Sequence, residues 1–319
     1  MKYIFSLLFL TFITAVTAQS SFTIGETLYQ KEQFEKAKPY FESYLREYPE
    51  DKKTKEYLGD IAGVKKNWDV ALVYYKDLLD NNPDNAEYHF KYGGALGLKS
   101  LEISRLKAIF YLDDIKFHLN KAAELNPKHI EVRWALVELY IQLPGIVGGS
   151  EEKALNYASQ LQNISLVDGY LAKGYIAEYN NRPNDAESFY KKAIEVGGSA
   201  HTYDKLTKLY ENNDQPVQAI QNLEDSLRKF DRNQLNYQIG KICAQYDMES
   251  NRGLVYLERY ISNHSVKDGV PLDWAYFRKA QIYRNMNNKD EAYNWINKAL
   301  AARSDFKEAL AEKKLILQM

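Results

Sequence analysis

Residues 25–49 read GETLYQKEQFEKAKPYFESYLREYP, and residues 59–83 read GDIAGVKKNWDVALVYYKDLLDNNP. The two stretches share a skeleton. Gly25 is followed by Ala37, Phe41 and Pro49, and Gly59 by Ala71, Tyr75 and Pro83, at identical offsets of 12, 16 and 24 residues. Gly25, Gly59 and Gly93 are each 34 residues apart. Self-similarity at such a period marks a repeat architecture. Within the first stretch, Phe34, Ala37, Phe41, Tyr44, Leu45 and Tyr48 recur at helical spacing. The period therefore predicts two helices per unit. Small residues let antiparallel helices approach, the aromatic fills the gap to the next unit, and the proline stops the second helix from continuing.

The skeleton returns further along. Gly174 leads to Ala186 and Tyr190, and Ala280 leads to Ala292 and Ile296, at the same 12 and 16. The small residue of the second helix is Ala37, Ala71, Ala154, Ala186, Ala219, Gly253 and Ala292, with Ile115 as the exception. This pattern resembles the tetratricopeptide repeat over nearly all of residues 19–319. The resemblance implies an all-α fold: a right-handed superhelical solenoid of about eight such helix pairs, plus a C-terminal capping helix from an Asp305 N-cap. The regular units fall at about 18–51, 52–85, 167–200 and 273–306. One unit cannot bury its apolar face alone, so units stack into a continuous core.

Residues 1–18 predict a signal peptide. Lys2 precedes an apolar run from Tyr3 to Val16, and Val16-Thr17-Ala18 sets small or β-branched residues before a cut at Gln19. The run is shorter than the roughly 20 residues that span a bilayer as a helix. The mature chain is thus expected to be exported, periplasmic or secreted from a bacterium, with no membrane span after cleavage. The 42 basic and 43 acidic residues give a net charge of −1, without the basic excess of a generic nucleic-acid binder. A single cysteine, Cys243, cannot form an intrachain disulfide. It falls at a packing position of a first helix and reads as a buried, inert thiol.

Two segments break the period. An insertion of ten residues around 98–115 carries Leu101, Ile103, Leu106, Ile109, Phe110 and Leu112. It reads as an extended start to a helix from about Ser104 to Leu125. Its apolar side chains must pack on the solenoid itself or form a docking surface. Residues 143–150, LPGIVGGS, form a Gly-rich loop in which Pro144 stops one helix and Ser150 caps the next. The loop follows a helix, lacks Gly-Lys-Ser/Thr and precedes Glu151 and Glu152, so a phosphate cradle is not expected. Together with the run Pro127–Trp134, these segments resemble a subgroup of exported bacterial tetratricopeptide proteins.

No constellation of catalytic residues is evident, and the chain reads as non-catalytic, with no cofactor and no metal. Asp114 and His118 lie one helical turn apart, the spacing of a helix-surface ion pair or, alternatively, of two metal ligands. By resemblance to the family, partner contacts sit at fixed offsets on the first helices, which line a concave groove. The candidates are Tyr29, Phe90, Trp134, Tyr175, Tyr179, Tyr237, Trp274 and Phe277, with Lys241 and Arg284; Trp134 and Tyr175 rank first. Carboxylates, among them Glu26, Glu56, Asp60, Glu138 and Glu178, gather toward the N-terminal half. The expected function is a protein–protein interaction scaffold of the bacterial envelope that binds a protein or peptide on this aromatic groove. The alternative is an accessory carbohydrate-binding protein using the same rings. Exposed, coplanar rings would favour the sugar, and interleaved ones the protein.

Overall fold

The computed structural model describes residues 21–319, and the expected signal peptide and its cleavage site lie outside the described residues. The chain divides into two compact units, one up to Gln160 and one from Leu161. In the first, helix α1 covers residues 21–30. It is followed by α2 (Phe34–Glu47), α3 (Lys52–Val64), α4 (Trp68–Asp80), α5 (Ala86–Glu102), the four-residue α6 (Arg105–Ala108), α7 (Leu112–Leu125) and α8 (Ile130–Gln142). Helix α9 (Glu151–Ile164) crosses the boundary. The second unit continues with α10 (Leu166–Tyr179), α11 (Pro183–Gly197), α12 (Ala200–Asn212), α13 (Pro216–Phe230), α14 (Asn233–Gln245), α15 (Ser250–Ser262), α16 (Leu272–Asn285), α17 (Lys289–Ala302) and α18 (Lys307–Gln318). Helices pack as successive pairs, α3 on α4, α5 on α7, α10 on α11, α12 on α13, α14 on α15 and α16 on α17. No strand occurs among the described residues.

Each hairpin is closed by the same turn. The residue after the first helix takes the left-handed conformation at Glu32, Lys66, Asn181, Asp214, Asp247 and Asn287. The next N–H then reaches back five residues: Gln33 to Leu28, Asn67 to Ala62, Arg182 to Ala177, Gln215 to Tyr210, Met248 to Cys243 and Asn288 to Tyr283. This six-to-one bond satisfies a carbonyl that the helix end would otherwise leave unpaired. The N-termini are capped in turn: Asp51, Asn85, Ser165, Ser199 and Asn288 accept from the backbone N–H three residues on.

The small residues do what the period requires. Ala37, Ala71, Ala154, Ala186, Ala219 and Ala292 are fully buried. Opposite them, backbone and ring meet directly: a Cβ on Gly59 would stand 2.5 Å from the Tyr75 ring, and one on Gly174 would stand 2.3 Å from Tyr190. In the first unit the core begins with Ala37, Phe41, Tyr57, Leu58 and Ile61, and Phe41 and Tyr57 stack with centroids 4.7 Å apart. In the second it ends with Ala292, Ile296, Ala299, Phe306, Ala309 and Ile316.

Two sequence expectations need correction. The insertion does not lengthen α7 back to Ser104. Helix α5 runs on to Glu102, Ile103 and Ser104 adopt extended backbone, and α7 begins only at Leu112 after α6 and a 3-10 turn at Ile109–Tyr111. A β-branched residue followed by serine is a weak helix propagator, so the break falls there. Nor does Asp305 cap the last helix. Phe306 holds that position, with no side-chain cap bond, because its ring is buried against Trp274 and Phe277 and fixes where α18 starts. Ser150 does accept from the N–H of Lys153, as a cap should.

Candidate interaction surface

In the first unit, the first helices of three successive pairs, α1, α3 and α5, are joined by a polar ladder. Asp60 on α3 is its centre. It accepts from Tyr29 Oη on α1 at 3.2 Å, from Lys91 Nζ on α5 at 2.6 Å and from Tyr75 Oη at 2.7 Å. Tyr57 Oη donates to Glu26 at 2.7 Å, and Lys91 Nζ also lies 3.2 Å from Glu56. The pairs Tyr29–Asp60, Glu26–Tyr57 and Asp60–Lys91 are each separated by 31 residues. That is one helical turn less than the 34-residue period, the offset at which side chains of neighbouring parallel helices meet.

The ladder sets the protonation states. Burial, reinforced by Asp60, pushes the phenols of Tyr29 and Tyr75 far above their usual range. Tyr57 is pushed up to about 12 by burial and by its bond to Glu26. These hydroxyls therefore stay neutral donors. Burial disfavours the Lys91 cation, but Asp60 and Glu56 outweigh it and hold the ammonium above its ordinary value.

The second unit repeats the device. Glu178 on α10 accepts from Tyr190 Oη at 2.9 Å and from Asn212 Nδ2 on α12 at 3.3 Å. Lys241 Nζ on α14 donates to Glu211 on α12 at 2.9 Å. Tyr210 Oη donates to Glu187, and burial followed by that bond pushes the phenol up to about 12.

The predicted contact residues scatter across these roles. Tyr179 is half exposed on α10, its ring tilted by 52° to that of Tyr175. Tyr175 and, in the first unit, Trp134 are each half-buried. Tyr29 is half-buried between Phe34 and Tyr57, and Phe90 meets His129 edge-on with centroids 4.8 Å apart. Trp274 is half-buried, edge-on to Phe306, with the guanidinium groups of Arg278 and Arg303 over its ring. Lys241 and Arg284 are ion-paired, the latter to the buried Glu312. Tyr237 and Phe277 are buried, so these two rings pack neighbouring helices and leave the set of surface contacts. The paired rings whose geometry is fixed stand edge-on or tilted, not coplanar.

Sequence reading missed a histidine pair. His118 on α7 does not pair with Asp114 through a hydrogen bond; its Nδ1 lies 2.8 Å from His89 Nδ1 on α5. His89 Nε2 lies 2.8 Å from the Pro83 carbonyl, so that nitrogen carries the proton and Nδ1 accepts from His118. The two residues are 29 apart and belong to different helices, so no local motif announces them. Among the described residues no group of three His, Cys, Asp or Glu side chains is placed to hold a metal. None of the described helices is long and apolar enough to cross a membrane.

Family models of the tetratricopeptide repeat match residues 22–86, 167–196 and 275–306. A curated relative, the human Protein O-mannosyl-transferase TMTC3, is 24% identical over 298 residues, covering 89% of this chain and 31% of that protein. The chain thus spans under a third of that relative's length. Among solved structures, a tetratricopeptide repeat protein from Parabacteroides merdae aligns with 94% of this chain and 98% of its own, at 14% identity and a TM-score of 0.48. YrrB, described as a TPR protein with an unusual peptide-binding site, aligns with 61% of this chain and 97% of its own, at 18% identity and a TM-score of 0.44. The segments 22–86, 167–196 and 275–306 are tetratricopeptide repeats, and the chain that carries them is an all-helical repeat protein.

Proposed function

We propose that this protein is a non-catalytic interaction scaffold of the bacterial envelope that binds a protein or peptide along the face made by its first helices. The observation that carries the reading is the ladder on α1, α3 and α5. It lays Glu26, Glu56, Asp60 and Lys91 in a row on neighbouring helices, held rigid by tyrosine donors. A row of fixed polar groups and partly exposed rings on a stiff backbone suits an extended chain better than a small substrate. The tilted and edge-on rings weigh against a flat stacking platform for sugar. Export rests on the apolar run Tyr3–Val16.

Site-specific photo-crosslinking in the native host tests the face. A photoreactive phenylalanine at Phe90 or Tyr179 is expected to capture one protein that is not captured from Val73 or Val255. Those two controls are exposed on the second helices α4 and α15. Capture from the second-helix positions alone, or from none, refutes the assignment. Mass spectrometry of the chain recovered from the host tests export, with Gln19 as the expected N-terminus.

A further inference from the structure

The inserted segment displays apolar side chains that no part of its own unit covers. Leu101 is 75% exposed, Leu106 78% and Phe110 83%. Ile109 and Phe117 are also exposed, and Leu106, Phe110 and Phe117 recur at four and seven residues along α6, the 3-10 turn and α7. A second projecting tip comes from the Gly-rich loop, where Ile146 is 95% exposed. Lys116 Nζ on the first turns of α7 donates to the Val147 carbonyl at 2.8 Å, which ties that loop to the end of α7 where the insertion enters. Two separate loops thus present bare apolar tips at one end of the first unit.

Two cations accompany the tips. Arg105 and Lys107 flank Leu106; both are exposed and have no ion-pair partner among the described residues. The nearby carboxylates are differently placed. Glu102 is engaged by Lys66 and by the indole of Trp68, and Asp113 faces Lys116 at 3.8 Å. Asp113 and Asp114 sit in the first turn of α7, where the helix dipole favours negative charge. The chain as a whole carries a net charge of −1, but lipid phosphates respond to the charge within a Debye length, which here is the Arg105–Lys107 pair.

We infer that this edge docks on an anionic lipid surface, with Leu106, Phe110 and Ile146 entering the acyl boundary and Arg105 and Lys107 meeting lipid phosphates. The tips project from the protein and line no groove, which is what a bilayer interface accepts; a protein partner would need pockets matched to each of them. Apolar side chains entering the boundary beside free cations are the two contributions that peripheral membrane binding sums. This inference is independent of the first-helix face proposed for the partner.

Vesicle co-sedimentation of the full chain tests it, with phosphatidylcholine alone and with phosphatidylcholine plus phosphatidylglycerol. The native protein should pellet with the anionic vesicles. Arg105→Gln with Lys107→Gln should weaken partition by about fivefold per cation removed. Leu106→Glu with Phe110→Glu should abolish it; both sites are surface positions, and unchanged helicity would show the fold intact. Any lipid affinity of the apolar run Tyr3–Val16 is common to all these proteins, so the difference reads the edge. A Phe110→Cys variant labelled with an environment-sensitive dye gives a second readout, because Cys243 is buried. Its emission should shift blue on anionic vesicles. Equal pelleting of native and Leu106→Glu/Phe110→Glu proteins, no pelleting at all, or a silent dye would overturn the inference. So would self-association without lipid that the double variant removes, which would make the edge a contact between copies.

Discussion

Gly59 and Tyr75 occupy one space between them: a side-chain carbon on the first would lie 2.5 Å from Cε1 of the second, closer than any real carbon contact. The ring fills what the missing side chain leaves. Tyr75 cannot retreat, because its hydroxyl is bonded to Asp60. Helices α3 and α4 owe their close approach to this pair.

Gly59→Ala should therefore destabilise the first unit by about 1–3 kcal/mol, the usual cost of overpacking a filled core. Gly94→Ala is the internal control. Gly94 lies within α5 with nothing inside 4 Å of its would-be Cβ, so alanine should stabilise by about 0.5–1 kcal/mol. Urea midpoints of the two variants should move in opposite directions; a shared direction would show that the socket does not govern the approach.

Removing the centre of the ladder should cost more than removing an exposed ion pair. Asp60→Ala leaves Lys91 without its shortest partner and Tyr75 without an acceptor, and should destabilise by roughly 2–4 kcal/mol. Lys91→Met in the Asp60→Ala background should recover part of the loss, since it withdraws the uncompensated cation. A double-mutant cycle with zero coupling would contradict the ladder.

Acid should loosen α5 from α7. Burial, followed by the neighbouring His89, lowers the His118 value to about 4, against 6.5 for the free side chain. Asp114 opposes this shift and Lys76 adds to it. Between those values the unfolded chain binds a proton that the folded chain refuses, so stability falls with pH from about 6.5 and the loss is complete below about 4. Thermal midpoints of the native protein minus those of His118→Asn should trace that window. A pH-independent difference would rule out the pair as its source.

Cys243 should resist labelling. It is buried on α14, and burial, reinforced by Glu249, pushes its thiol up to about 11. At neutral pH a thiol-specific reagent should modify it more than tenfold faster in denaturant than in buffer. Equal rates would mean that α14 and α15 separate readily.

The pairing of helices was legible because it rests on residue size at a fixed period. Ala37, Ala71 and Ala186 had to be small, and they are buried where two helices cross. The turns were less legible. Their left-handed positions are filled by Glu32, Lys66 and Asp214, none of which carries the signal that glycine gives. The ladder was hidden for another reason. Glu26, Asp60 and Lys91 look like ordinary solvated charges along the chain, and only the one-turn offset between neighbouring helices brings them together. Tyr237 and Phe277 follow the same helical spacing as exposed rings, so depth, which spacing does not encode, separates them from Tyr179.

Asp60 is bonded 31 residues back and 31 residues on, to chemically different partners that occupy corresponding places in successive units. Register is thus written relative to the period and not to absolute position. A duplication or excision of a whole 34-residue block would leave such bonds available across the new junction, whereas a change of one residue would misalign every rung beyond it. Copy number is then the coordinate along which descent can lengthen or shorten this protein with least disruption, and only terminal pieces such as α18 require residues of their own.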